Sequence, residues 1–281
     1  VRDIYSPRDA AKIMAILASI MALAPAVAPT LGGFMVVSLG WSSIFLALGG
    51  YALIMAVVVA VGIPEPMRPE NRQSLRIGSL WKNYRAIASD ISFLGYTLTN
   101  SLTFAGLFAF LSGSSFVLID FLGVEPQYFG LFFACIVTGY IGGNLTAVGL
   151  GRSLTPDQIL IRGLIVAVAG GSLMAALATA HIYNVWAVIL PQSLLMVGVG
   201  MVLPQTMAGA LANFPSMAGS ASALFGFTQM VVAATVGALV GHFHNGTSLV
   251  MAGIIATCAI GALGSYLLLV QRHPAPGFEP A

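Results

Sequence analysis

For most of its length the chain repeats one pattern: an apolar run of about 20 residues or more, a short polar stretch, then another apolar run. A run of that length crosses the roughly 30 Å hydrocarbon layer of a bilayer as a helix. The strict alternation of apolar and polar residues that marks a membrane barrel does not occur. The pattern predicts eight spans, at about 9–39, 44–63, 91–119, 128–150, 159–180, 185–211, 220–241 and 249–270. Composition agrees: 58% of residues are hydrophobic and 7% charged, against about 25% charged in an ordinary soluble domain. The expected fold is all-α, a polytopic membrane helix bundle with eight transmembrane helices.

One polar segment is long. Between 64 and 90 lie Glu65, Arg68, Glu70, Arg72, Arg76, Lys82, Arg85 and Asp90, opened by Pro64, Pro66 and Pro69. Within it Leu80, Trp81, Tyr84, Ile87, Ala88 and Ile91 recur at helical spacing opposite Lys82, Arg85 and Ser89, which predicts an amphipathic helix on the membrane face. Residues 151–158, carrying Arg152 and Asp157, read as a polar turn. If the first turn is cytoplasmic, alternate connections hold all 11 Lys and Arg. The opposite connections hold only Asp120, Glu125, His181, His242 and His244, a positive-inside distribution with both ends of this chain cytoplasmic. The opening residues, Val1-Arg2-Asp3-Ile4-Tyr5-Ser6, read as the tail of a preceding helix, so a partial chain is expected.

Charge and cysteine usage narrow the chemistry. A net charge of +2 gives no footprint for nucleic acid, and Cys135 and Cys258 lie apart inside apolar runs without metal-ligand spacing. No Lys, Arg, Asp or Glu falls in the middle of a span, which argues against an intramembrane enzyme and against a metal or other cofactor. Buried amides are more telling, because an Asn or Gln in hydrocarbon must find partners. Asn100, Gln192, Gln205 and Gln229 are therefore candidates for a wet cavity, with Phe104, Phe108 and Phe116 as apolar contacts; interhelical hydrogen bonding is the other reading of each. A lining of amides, hydroxyls and aromatics suits an amphipathic or apolar organic solute better than a small ion. The first span carries a different signal. Ala24, Ala28 and Gly32 fall on one small-residue stripe and Pro25, Pro29 and Gly33 on a second, so this helix is expected to bend and to let a neighbour approach closely.

These stretches resemble the major facilitator superfamily, and within it the twelve-helix drug:proton antiporters of the Bcr/CflA type. Ala28-Pro29-Thr30-Leu31-Gly32-Gly33 is similar to the antiporter motif of the fifth helix, with Ala15, Ala24 and Ala28 where the family often has glycine. Phe108-Ala109-Phe110-Leu111-Ser112-Gly113-Ser114-Ser115-Phe116-Val117 resembles the seventh helix, and Pro215-Ser216-Met217-Ala218-Gly219-Ser220 the entry to the eleventh. The resemblance implies that residues 1–63 are the end of helix four with helices five and six of the N-terminal half. It makes 64–90 the cytoplasmic linker and 91–281 the C-terminal six-helix half. It implies cytoplasmic charge contacts at Arg2 and Asp3, and a gating role for Ala24, Pro25, Ala28, Pro29, Gly32 and Gly33. The function implied is proton-coupled efflux of drugs or small amphipathic metabolites across the inner membrane by alternating access. The coupling acid is expected outside this chain, N-terminal to it. The partners are a small-molecule solute, protons and the lipid bilayer. The alternative is a truncated, non-transporting membrane scaffold or sensor derived from half a transporter.

Overall fold

The computed structural model describes residue 28 and residues 31–62, 77–273 and 275, without the side chains of 77–80, 82 and 216. Among these residues there are helices and no strands. The chain divides into two compact units, Val1–Leu75 with Pro126–Ala134, and Arg76–Glu125 with Cys135–Ala281.

In the first unit, residues 31–39 form the described end of α1, and Ser42–Gly62 form α2. Gly40, at a φ of 80°, makes the turn between them that a side chain would strain. No α2 side chain is buried in the unit, as suits a uniformly apolar helix whose solvent is lipid. Most of the first expected span lies outside the described residues.

The second unit begins with the amphipathic helix α3, Ile77–Ala88, whose Ile87 is fully buried while Trp81 is exposed. It then contains α4 (Ile91–Ser115, continued by a π-helical turn at Phe116–Phe121), most of α5 (Pro126–Leu150) and α6 (Pro156–Thr179). α7 (Val185–Ala212), α8 (Ala218–His242) and α9 (Leu249–Ser265, continued by a π-helical turn at Tyr266–Val270) complete it. Seven helices among the described residues are long and apolar enough to cross a membrane. Their ends lie within a few residues of the limits expected from the apolar runs.

The polar residues between runs cap the helices. Asp90 accepts from the Phe93 N–H, Thr155 and Gln158 form a reciprocal capping box, and Asn184 accepts from the Ala187 N–H. That box draws Asp157 out of the expected polar turn and into the first turn of α6, where it is only 5% exposed. Tyr266 Oη donates to its carboxylate, lying 2.7 Å from Oδ1 and 2.8 Å from Oδ2. Around this pair the same end of the unit closes over Phe93, Tyr96, Leu160, Leu164, Val202, Phe214, Phe225 and Val270. Phe93 and Phe214 meet edge to face at 5.9 Å.

Glycines set how closely the helices pack. A Cβ at Gly139 or Gly143 of α5 would collide with the backbone of Ser193 or Val197 of α7, so the two helices pack closely at these positions. Gly142 is different, with open space where a Cβ would go. On α6, Gly163 lies against Met201 and Val202, and Gly170 against Leu195 and the Pro191 carbonyl. α7 runs as one helix from Val185 to Ala212 through both Pro191 and Pro204.

Candidate functional site

α4 packs against α7, α8 and α9. Gly95 and Gly106 admit α9: a Cβ at Gly95 would meet Leu269 at 2.9 Å, and one at Gly106 would touch Cys258 at 3.8 Å. On α7, Gly209 leaves room for the Tyr96 ring. Towards α8, Phe108 and Ser112 lie over Gly237. Asn100, between the α7 and α8 contacts, is 2% exposed.

A buried amide at that depth has to be satisfied by side chains, since the helix backbone is already paired. Asn100 Oδ1 accepts from Thr206 Oγ1 of α7 at 2.9 Å, and Asn100 Nδ2 donates to Gln229 Oε1 of α8 at 3.0 Å. Gln229 is the polar member of a stripe that also holds Ala221, Phe225, Ala233 and Gly237, all buried at i, i+4 spacing. It is itself half-buried. Phe104, one turn beyond Asn100, is half-buried too, with its ring centroid 6.2 Å from that of Phe108. Two of the four expected amides thus meet, beside two of the expected phenylalanines.

The other candidates lie elsewhere. Gln192 is fully buried in α7, and neither of its amide atoms has a hydrogen-bond partner among the described residues. Fourteen residues separate it from Thr206, about 21 Å along the helix, so it does not share the Asn100 cluster. Gln205 is half-buried and turned about 100° from Thr206 around the axis. Phe116 instead faces His244 at the opposite end of α4, with ring centroids 4.9 Å apart. Arg2, Asp3, Ala24, Pro25 and Pro29 lie outside the described residues. A Cβ at Gly32 or Gly33 would meet nothing within 4 Å, and Ala28 is exposed.

Sequence reasoning missed two residues. Thr206 is fully buried and anchors the amides, yet a threonine in a helix ordinarily satisfies itself on a carbonyl one turn back and so signals nothing. Asp157 carried the signal of its Thr155-Pro156-Asp157-Gln158 capping pattern, but nothing local pointed to Tyr266.

The arrangement can hydrogen-bond and pack a solute. α4, α7 and α8 contain no Asp, Glu, Lys or Arg, so this site has no acid–base pair or fixed charge for catalysis. No cluster of three or more potential metal ligands occurs among the described residues.

The sequence and fold have clear counterparts. The family model described as Major Facilitator Superfamily matches residues 1–238. The bicyclomycin resistance protein homolog of Haemophilus influenzae is 28% identical over 273 residues, covering 97% of this chain and 68% of that protein. An MFS-type transporter of Bacillus subtilis, YdgK, is 30% identical over 275 residues with the same coverage. A chloramphenicol resistance protein of Pseudomonas aeruginosa is 28% identical over 244 residues, covering 85% of this chain and 56% of that one. In structure, a bacterial homolog of the lysosomal transporter Spinster, solved inward-facing and unoccupied, superposes with a TM-score of 0.58 at 13% identity, covering 96% of this chain and 70% of that one. With the family model spanning most of the sequence and relatives named as transporters, the chain is a multi-pass membrane protein, a transporter and not an enzyme, belonging to the Major Facilitator Superfamily.

Proposed function

We propose that this chain works in proton-coupled export of drugs or small amphipathic metabolites across the inner membrane, by alternating access of two helical halves. In this reading residues 1–63 belong to the N-terminal half, 64–90 link the halves in the cytoplasm, and 91–281 are the C-terminal half. The observation that carries the reading is the Asn100–Thr206–Gln229 cluster with Phe104 and Phe108 beside it. It brings hydrogen-bonding side chains from three helices together beside aromatic rings, the kind of lining that solute sites use. Relatives named for resistance to bicyclomycin and chloramphenicol, and the Salmonella typhimurium multidrug resistance protein MdtM, support drug-like solutes. All 11 Lys and Arg lie in alternate connections or at their margins, which supports cytoplasmic ends.

A transported proton needs a titratable group near the solute, and α4, α7 and α8 supply none. In this reading the coupling acid is supplied from outside α4, α7 and α8, by the N-terminal half. In inverted membrane vesicles the complete gene product should extrude a fluorescent substrate when a pH gradient is imposed, and residues 1–281 expressed alone should not. Efflux by the complete protein that survives collapse of the gradient would remove proton coupling. Robust gradient-driven efflux by residues 1–281 would put the coupling acid back within this chain.

A further inference from the structure

α6 has two unlike faces. Leu160, Leu164, Ala167 and Met174 are buried in the unit, whereas Arg162, Ile165, Ala169, Leu173 and Ala176 follow one another at helical spacing and are all exposed. In a helix that crosses a bilayer such a stripe is the one that lipid covers, and four of these five side chains suit it. Arg162 is the exception. It stands six residues in from Pro156, about 9 Å along the axis. Every Cα–Cβ bond in a helix leans towards the N-terminus, so the long Arg162 side chain can return its guanidinium to the level of the lipid phosphates while its stem stays among acyl chains. Asp157 does not neutralise it. Five residues apart, the two lie about 140° apart around the axis, and the carboxylate is buried and bonded to Tyr266. A second guanidinium reaches the same end of α6. The connection after α5 is tightly built: the Ser153 and Leu154 N–H groups both donate to the Leu150 carbonyl, and Leu154 packs with Ala147, Ile159 and Met201. A Cβ on Gly151 would touch Ile159 Cδ1 at 3.9 Å, so the chain enters Arg152 beside the turn of α6 that precedes Arg162. Arg152 is exposed, and among the described residues neither arginine has a hydrogen-bond or ion-pair partner.

We infer that Arg152 and Arg162 hold the phosphate of an anionic phospholipid whose acyl chains lie along Ile165 and Leu173. Guanidinium forks match phosphate oxygens, and the two apolar side chains, 55% and 45% exposed, continue from Arg162 towards the middle of the span, which suits a lipid and offers nothing to a soluble phosphate. A zwitterionic headgroup would bring an ammonium as well, and the carboxylate of this helix end, Asp157, is buried and already bonded. The inference goes beyond the export reading, and it holds whichever face of the membrane this end of α6 meets.

Native mass spectrometry of the purified complete gene product in detergent tests it, with phosphatidylglycerol and phosphatidylcholine titrated separately and the affinity of the first bound lipid read for each. The unsubstituted protein should hold phosphatidylglycerol about tenfold more tightly or better, since each basic residue at a bilayer surface contributes roughly fivefold. Arg162→Gln and Arg152→Gln should each weaken phosphatidylglycerol about fivefold and leave phosphatidylcholine within about twofold. Arg162→Lys, which keeps the charge and loses the fork, should fall between. Arg85→Gln removes an exposed arginine of α3 and should change neither lipid. Should Arg162→Gln not reach the membrane, Arg152→Gln, in an exposed turn, decides by the same comparison. Equal affinity for the two lipids, no weakening in either glutamine variant of the pair, or a loss in Arg85→Gln as large as theirs would reduce the pair to general surface charge and overturn the site. Release of the bound lipid by millimolar glycerol 3-phosphate would assign the pair to a soluble phosphate and overturn the lipid.

Discussion

Asp157 and Tyr266 make the sharpest demand of any single pair in the chain. A carboxylate 5% exposed is expensive to bury, and among the described residues the Tyr266 phenol is the side chain that hydrogen-bonds it. Its place in the first turn of α6 helps, since the helix N-terminus favours negative charge. Tyr266→Phe removes the donor and keeps the ring, so it should destabilise the protein by about 1–3 kcal/mol. Asp157→Leu combined with Tyr266→Phe should recover part of that loss, because no buried polar group is left wanting. Thermal unfolding of the detergent-solubilised protein reads both changes, and an unshifted midpoint in the single variant would mean that water already serves the carboxylate. The residue-level lesson follows from demand. Asn100 and Gln229 were legible in the sequence because an amide in an apolar run cannot satisfy itself, whereas Thr206 can. Tyr266 was invisible as a partner because nothing near it in sequence says which face of α9 turns towards a residue 109 positions earlier.

For the helices, length was legible and facing was not. Span limits followed from apolar run lengths measured against the bilayer, and α3 from its stripe of Tyr84, Ile87 and Ala88, of which Ile87 is indeed fully buried. The π-helical turns that end α4 and α9 left no trace, since widening a helix by one residue per turn needs no particular residue type. The glycines of α5 show the same limit: Gly139, Gly142 and Gly143 lie within five residues of one another, and contact with α7 divides them. Gly143→Ala should therefore cost about 1–3 kcal/mol, as overpacking does. Gly142→Ala should be neutral or slightly stabilising, because its Cβ enters open space. Comparing the two unfolding midpoints separates packing from backbone freedom, and equal effects would contradict the α5–α7 contact.

For the molecule as a whole, orientation is the property most directly open to measurement. Arg85 is exposed near the end of α3, and Asn245 is exposed in the connection after α8. A membrane-impermeant maleimide should label Asn245→Cys in intact cells and Arg85→Cys only after permeabilisation; the reverse would invert the topology. For Gly32 and Gly33, the described residues place nothing within 4 Å of an added Cβ.

The α6–α7 contact bears on how the bundle can move. At Gly163, Gly170 and Gly198 one helix rests on the backbone of the other, with Gly198 against the Gly163 carbonyl and Ala167. Sliding either helix by one residue, about 1.5 Å, would push a side chain into a gap cut for a hydrogen atom. The joint has teeth and no play. Asn100 and Thr206 tie α4 to α7 where these glycines lock α7 onto α6, and Asp157 ties α6 to the end of α9, so α6, α7 and α9 are joined at fixed register.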